Sequence, residues 1–111
     1  MKLSYLTIGE EKYPICFSSA TIEDIQDEFG GLTEWQEALQ TGKLKVYTKT
    51  IEIFMNAGRE YCITSGIECP PPLTGRISAR IDMEGIQDCM AKVMECMAKD
   101  SERSVEVRSK N

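Results

Sequence analysis

The segment LKVYTKTIEIFMNAGREYCITS, residues 44–65, constrains the fold more than any other part of the chain. Leu44, Tyr47, Ile51, Phe54, Met55, Gly58, Tyr61 and Cys62 recur at intervals of three and four, while Lys45, Lys49, Glu52 and Arg59 fall mostly elsewhere. That period matches the turn of an α-helix, so the spacing predicts an amphipathic helix of about five turns. Thr41-Gly42 precedes it and Ser65-Gly66 ends it. An apolar face of this length must be covered, and the rest of the chain has to supply the cover.

At the N-terminus, KLSYLTI and KYPICFS flank Gly9 and are rich in β-branched and aromatic residues, which predicts a β-hairpin over residues 1–18. Pro14 has no N–H to give to a ladder, so its strand is an edge or holds Pro14 at a non-bonded position. A lone hairpin is marginal in water and must lie on something. Two acid-rich heptapeptides follow, TIEDIQD at 21–27 and DMEGIQD at 82–88, and each could be a reagent or a helix start. Thr21 and Asp82 are candidate N-caps, with Glu23, Asp24 and Glu84 in first turns where the helix dipole favours negative charge. Ile81 and Ile86 have the spacing of a hydrophobic staple, and Thr33 with Gln36 has that of a third capping box. Gly30-Gly31 supplies a stop between the first two helices. The paired acids therefore read as helix starts rather than catalytic carboxylates.

GIECPPP, after the long helix, is a stiff extended connection, and Thr74 is a candidate cap for a short helix in GRISARI. The last helix carries Ile86, Met90, Val93 and Met97 on one stripe, widened by Met83, Cys89, Met94 and Cys96. Residues 101–111 are polar and read as a flexible tail. The expected fold is mainly α: one small helical domain over residues 1–100 with its N-terminal hairpin packed on the helices. A largely apolar terminal helix in so small a chain also suggests a homo-oligomer.

Charge and residue types narrow the function. Eighteen Asp and Glu against thirteen Lys and Arg leave a net charge of −5, which disfavours nucleic acid and anionic membrane surfaces. No apolar run reaches the roughly 20 residues of a spanning helix, and the N-terminus does not read as a signal peptide, so a cytoplasmic protein is expected. The five cysteines are odd in number, lack a CxxC pair and are accompanied by no histidine. They read as buried reduced thiols rather than a disulfide framework or zinc site, and no metal or cofactor is implied. Without histidine, a phosphate loop or a nucleophile elbow, an enzyme is not expected.

Two readings of binding remain. EDIQDEFGGLTEWQEAL has the outline of a helix-turn-helix, which makes a small regulatory nucleic-acid-binding module the alternative, although its second helix offers Glu34, Gln36, Glu37 and Gln40 and no cation. Lys43, Lys45, Lys49 and Arg59 read as a solvated face. Trp35, Met90, Met94 and Met97 are the candidate protein-binding residues, because aromatic anchors and flexible thioethers suit surfaces that accept apolar partners.

The whole order of elements is similar to a known family. A hairpin ending in YPICFS, then TIEDIQDEFGG, LTEWQEALQTG, a long helix closing in MNAGREY, and PPPLTGRISARID leading into a terminal helix together resemble the small tail assembly chaperones of long-tailed phages and gene transfer agents. The likeness covers about residues 1–98 and rests on that order plus FGG, the AG of the long helix and the PPPLT linker. It implies a non-enzymatic, prophage-encoded protein of the bacterial host cytoplasm. Such a protein would bind the tape measure protein and tail tube subunits during virion morphogenesis. It assigns no functional residue.

Overall fold

The computed structural model describes residues 3–109, with side chains to position 99. Gly9 takes a φ of 64°, which a residue without Cβ adopts freely, while Glu10 keeps a negative φ. That is the pattern of a type II′ turn, and it joins antiparallel strands β1 (Ser4–Ile8) and β2 (Glu11–Ile15). Ile8 lies opposite Glu11 and closes the turn as a hydrogen-bonded pair; bonded and non-bonded pairs then alternate. Pro14, opposite Tyr5, falls at a non-bonded position where no donor is required. Leu6, Ile8 and Ile15 are buried on one face of the hairpin, with Tyr13 half-buried beside them.

Helix α1 (Ser19–Phe29) is capped by Ser18 rather than the expected Thr21. Ser18 Oγ accepts the Thr21 N–H at 3.4 Å, and Thr21 Oγ1 accepts the Ser18 N–H at 3.0 Å, a reciprocal box with threonine where glutamate is commoner. Thr21 also donates to the Cys16 carbonyl at 2.9 Å, so its hydroxyl is satisfied in a fully buried place. Glu23 and Asp24 consequently lie beyond the first turn. Their expected service to the helix dipole is corrected: these two acids are not part of a helix start.

Gly30, at φ 104°, ends α1 and donates to the Gln26 carbonyl at 2.9 Å. Gly31 is extended, and α2 (Leu32–Gln40) starts directly after it without a side-chain cap. The Thr33–Gln36 box does not form, because both residues are already inside the helix. Helix α3 (Leu44–Ser65) matches the predicted segment. Gly66 closes it at φ 71°, and the Ile67 N–H returns to the Cys62 carbonyl at 2.9 Å, a Schellman-type end.

The proline connection then runs back along α3, where Arg59 Nη1 donates to the Pro70 carbonyl at 2.9 Å. GRISARI forms only a 3₁₀ turn, Ile77–Ala79. Thr74 does not cap it; its hydroxyl and carbonyl oxygens instead accept from Arg80 at 2.7 to 3.1 Å. Helix α4 (Met83–Ser109) starts as expected, with Asp82 Oδ1 accepting the Gly85 N–H at 2.9 Å. It is longer than expected: the backbone stays helical through 101–109, where a polar tail was predicted, since no Gly or Pro follows Gly85 to stop it. Positions 110 and 111 lie outside the described residues.

The elements meet in one cluster of buried side chains that runs from Leu6 to Cys96 and centres on Ile25, Trp35, Ile51 and Phe54. Here β1 lies on α4 and β2 on α3. The second contact depends on Gly58. A Cβ there would run into the Pro14 carbonyl and stand 2.7 Å from the Ile15 Cα, so strand and helix backbones touch directly.

Candidate protein-binding surface

Trp35 belongs to the interior. It is 1% exposed, its Nε1 donates to Thr50 Oγ1 at 2.9 Å, and its ring leans on Phe54 at 6.4 Å between centroids. Thr50 in turn donates to the Val46 carbonyl at 2.8 Å, so this buried polar pair is satisfied. The expectation that Trp35 anchors a partner is corrected, because the indole is consumed by the core.

The methionines divide. On α4 the buried line is Ile86, Cys89, Val93 and Cys96 at three- and four-residue steps. Two small thiols alternate along it with Ile86 and Val93, and the thioethers lie to its side. Burial and then the Asp88 charge push the Cys89 thiol up; burial and then Cys69 do the same for Cys62. Thiols held protonated in this way act as small apolar fillers. Met90 and Met97 sit half-buried at the margin of the line, and Met94 is 40% exposed.

Met90 and Met94, one turn apart, line an open hollow of about 380 Å³ with Leu39 of α2, Tyr47 of α3, and Gln87 and Ala91 of α4. The Tyr47 hydroxyl donates to the Leu39 carbonyl at 3.3 Å and fixes the floor. Three helices thus contribute to one mostly apolar depression. Met97 and Trp35 are not part of its lining. Leu39 and Tyr47 were not among the expected site residues, since each follows a core residue at helical spacing and reads as core.

The other hollows are of different character. One of about 290 Å³ lies beneath the proline connection, between Tyr13, Met55, Arg59, Pro70 and Leu73, with the Arg59 guanidinium also 3.9 Å from Cys69 Sγ. Two of the three acids of the first heptapeptide, Asp24 and Asp27, border a solvated depression with Glu28, Lys49 and Glu52. Lys49 spans it, 3.8 Å from Glu28 and 3.9 Å from Glu52. Such exposed pairs contribute at most about 1 kcal/mol each. The second heptapeptide does keep its structural role, through Asp82.

Among the described residues no helix is long and apolar enough to cross a membrane. Compared with protein-family models, curated proteins and solved structures, the chain has no match.

Proposed function

We propose that this protein is a non-enzymatic assembly chaperone of the phage-tail kind, acting in the host cytoplasm, which holds an apolar helical segment of a long client such as a tape measure protein. The observation that carries the reading is the hollow lined by Leu39, Tyr47, Met90, Ala91 and Met94. Thioether side chains repack at little cost, so such a surface accepts successive, non-identical apolar stretches of one client. An apolar helix face laid into a groove is an established mode of peptide recognition. The acidic balance of the chain keeps the loaded complex soluble. The client's identity rests on the resemblance of the order of elements to that of tail assembly chaperones.

Co-expression with an insoluble tape measure protein tests this directly. The wild-type chain is expected to bring the client into the soluble fraction, and Met90→Gln with Met94→Gln to lose that effect at a temperature where circular dichroism shows the double variant folded, its melting lowered only by the small cost of the two substitutions. Equal rescue by the folded double variant removes the groove from the proposal. Retention on DNA that weakens steeply with salt would replace the proposal with the helix-turn-helix alternative.

A further inference from the structure

We propose that the face formed by α1, α3 and the 3₁₀ turn pairs with the same face of a second copy of this chain, as a two-fold dimer set by charge. The chain separates its charges along the sequence. From position 13 to position 42 the acids are Glu23, Asp24, Asp27, Glu28, Glu34 and Glu37, and there is no lysine or arginine. From 43 to 80 the balance reverses: Lys43, Lys45, Lys49, Arg59, Arg76 and Arg80 outnumber Glu52, Glu60 and Glu68.

The fold turns this pattern into two adjoining hollows of opposite sign. One, of about 280 Å³, is the depression bordered by Asp24, Asp27 and Glu28 of α1. The other, of about 460 Å³, lies between α3 and the 3₁₀ turn and is bordered by Lys45 and Arg76. They meet at Lys49 and Glu52, which line both hollows and stand 3.9 Å apart. With that shared pair set aside, acids alone charge the first hollow and cations alone the second. Lys49 also lies 3.8 Å from Glu28, but among the described residues Asp24, Asp27, Lys45 and Arg76 are in no ion pair.

The juxtaposition selects the occupant. A partner segment of one sign satisfies one hollow and is repelled by the other. A surface that fits both carries an acidic and a cationic patch side by side at this spacing, and the chain itself carries one. A two-fold axis through the Lys49–Glu52 ridge lays the α1 acids of each copy over Lys45 and Arg76 of the other, so both contacts form together and the assembly closes. The same rotation brings Lys49 of each copy towards Glu52 of the other. Asp27, Glu28, Lys45 and Arg76 are exposed, so the pairing is salt-sensitive rather than tight. This face shares no lining residue with the Met90 hollow, so it stands whatever that hollow holds.

Sedimentation of the full chain at about 0.1 mM and low salt is expected to show a dimer. Its dissociation constant is expected to rise about tenfold or more between about 0.01 M and 1 M salt, as the screening length falls from about 30 Å to about 3 Å. Asp27→Lys with Glu28→Lys reverses one hollow, and Lys45→Glu with Arg76→Glu reverses the other. Each double variant alone is expected to be a monomer, and an equimolar mixture of the two to recover a heterodimer, since each then offers the sign that the other lacks. Neutral replacements at the same four positions, which disturb the fold least, are expected to weaken the dimer in the same direction. A wild-type chain that stays monomeric under these conditions overturns the proposal. So does a dimer that either reversal leaves intact, or a mixture that remains monomeric while circular dichroism shows both variants folded.

Discussion

The α3–β2 seam and the α2–α3–α4 hollow lie on the same long helix and are built on opposite rules. At the seam, backbone meets backbone: Gly58 leaves no room for even a methyl group, and Pro14 presents a carbonyl with no donor beside it. At the hollow, three helices approach through Leu39, Tyr47, Met90 and Met94, and the two thioethers have rotamers to spare. Close-packed contacts tolerate almost no change of volume, whereas thioether-lined ones absorb it. The contrast locates stability at the seam and adaptability at the hollow.

The largest effect is therefore expected at Gly58. Alanine raises helix propensity by about 1 kcal/mol at an ordinary helical site. At this site overpacking is expected to override that gain and leave a net loss of about 2–3 kcal/mol. Gly85→Ala is the milder comparison, because a Cβ there stands 3.1 Å from the Ile81 Cβ and 3.4 Å from Asp82 Oδ1, contacts that a shift of a few tenths of an ångström relieves and that involve no backbone atom. It is expected to change stability by less than about 1 kcal/mol. Urea unfolding of both variants measures the difference, and equal losses would dissolve the contrast between a backbone seam and a side-chain contact that can shift.

Trp35 comes next. Trp35→Phe removes the donor to Thr50 but leaves that hydroxyl bonded to the Val46 carbonyl, so a loss of about 1–2 kcal/mol is expected. Thr50→Val strands the buried indole N–H and is expected to cost about 1–3 kcal/mol. Combining them should cost less than the sum, since neither partner is then left unsatisfied. Strict additivity in a double-mutant cycle would mean that the 2.9 Å bond contributes nothing to folding.

How far the sequence alone could lead depended on whether a residue's role was local. Gly9, Gly42 and Gly66 mark turns through their own backbone freedom, so the hairpin and both ends of α3 were readable. The cap at Asp82 was readable, but Thr33 and Thr74 cap nothing, Thr33 lying inside α2 and Thr74 being taken up by Arg80, and Thr21 gives way to Ser18. Ser18 and Thr21 are both competent, and the burial of Thr21 against the Cys16 carbonyl decides between them. On α4 eight apolar residues share one broad stripe, and only its packing on β1 and α3 reveals that Ile86, Cys89, Val93 and Cys96, rather than the methionines, are the buried part. Trp35 was misassigned for the same reason: an amphipathic pattern shows that a residue faces something, not whether that something is this chain's own Thr50 and Phe54. Met90 and Met94 stand out by their chemistry, but that Leu39 and Tyr47 line the same hollow is invisible in local spacing, because the two come from other helices.

At the hollow, substitution should barely register as stability. Met94 is partly solvated already, so Met94→Gln is expected to move the unfolding free energy by no more than about 0.5 kcal/mol. Met90 is half-buried, and Met90→Gln is expected to cost somewhat more, up to about 1 kcal/mol. A loss near that of Gly58→Ala would mark the hollow as core and end its separation from the seam.

The smallest effect belongs to the far flank of α4. The Glu95 carboxyl accepts a hydrogen bond from Lys99 at 3.1 Å, and this, followed by the charges of Lys92 and Lys99, holds it below its ordinary range. A carboxyl whose folded pKa is depressed stabilises the fold above its unfolded pKa, and that contribution fades as the pH falls through the folded value. Glu95→Gln is therefore expected to be slightly less stable than wild type at neutral pH, and the two should converge in acid. Because Glu95 is solvent-exposed, added salt at neutral pH should narrow the gap as well. Thermal melts across pH and salt read both trends. A gap that persisted in acid would assign the role of Glu95 to packing rather than charge, and would make this flank of α4 resemble the seam.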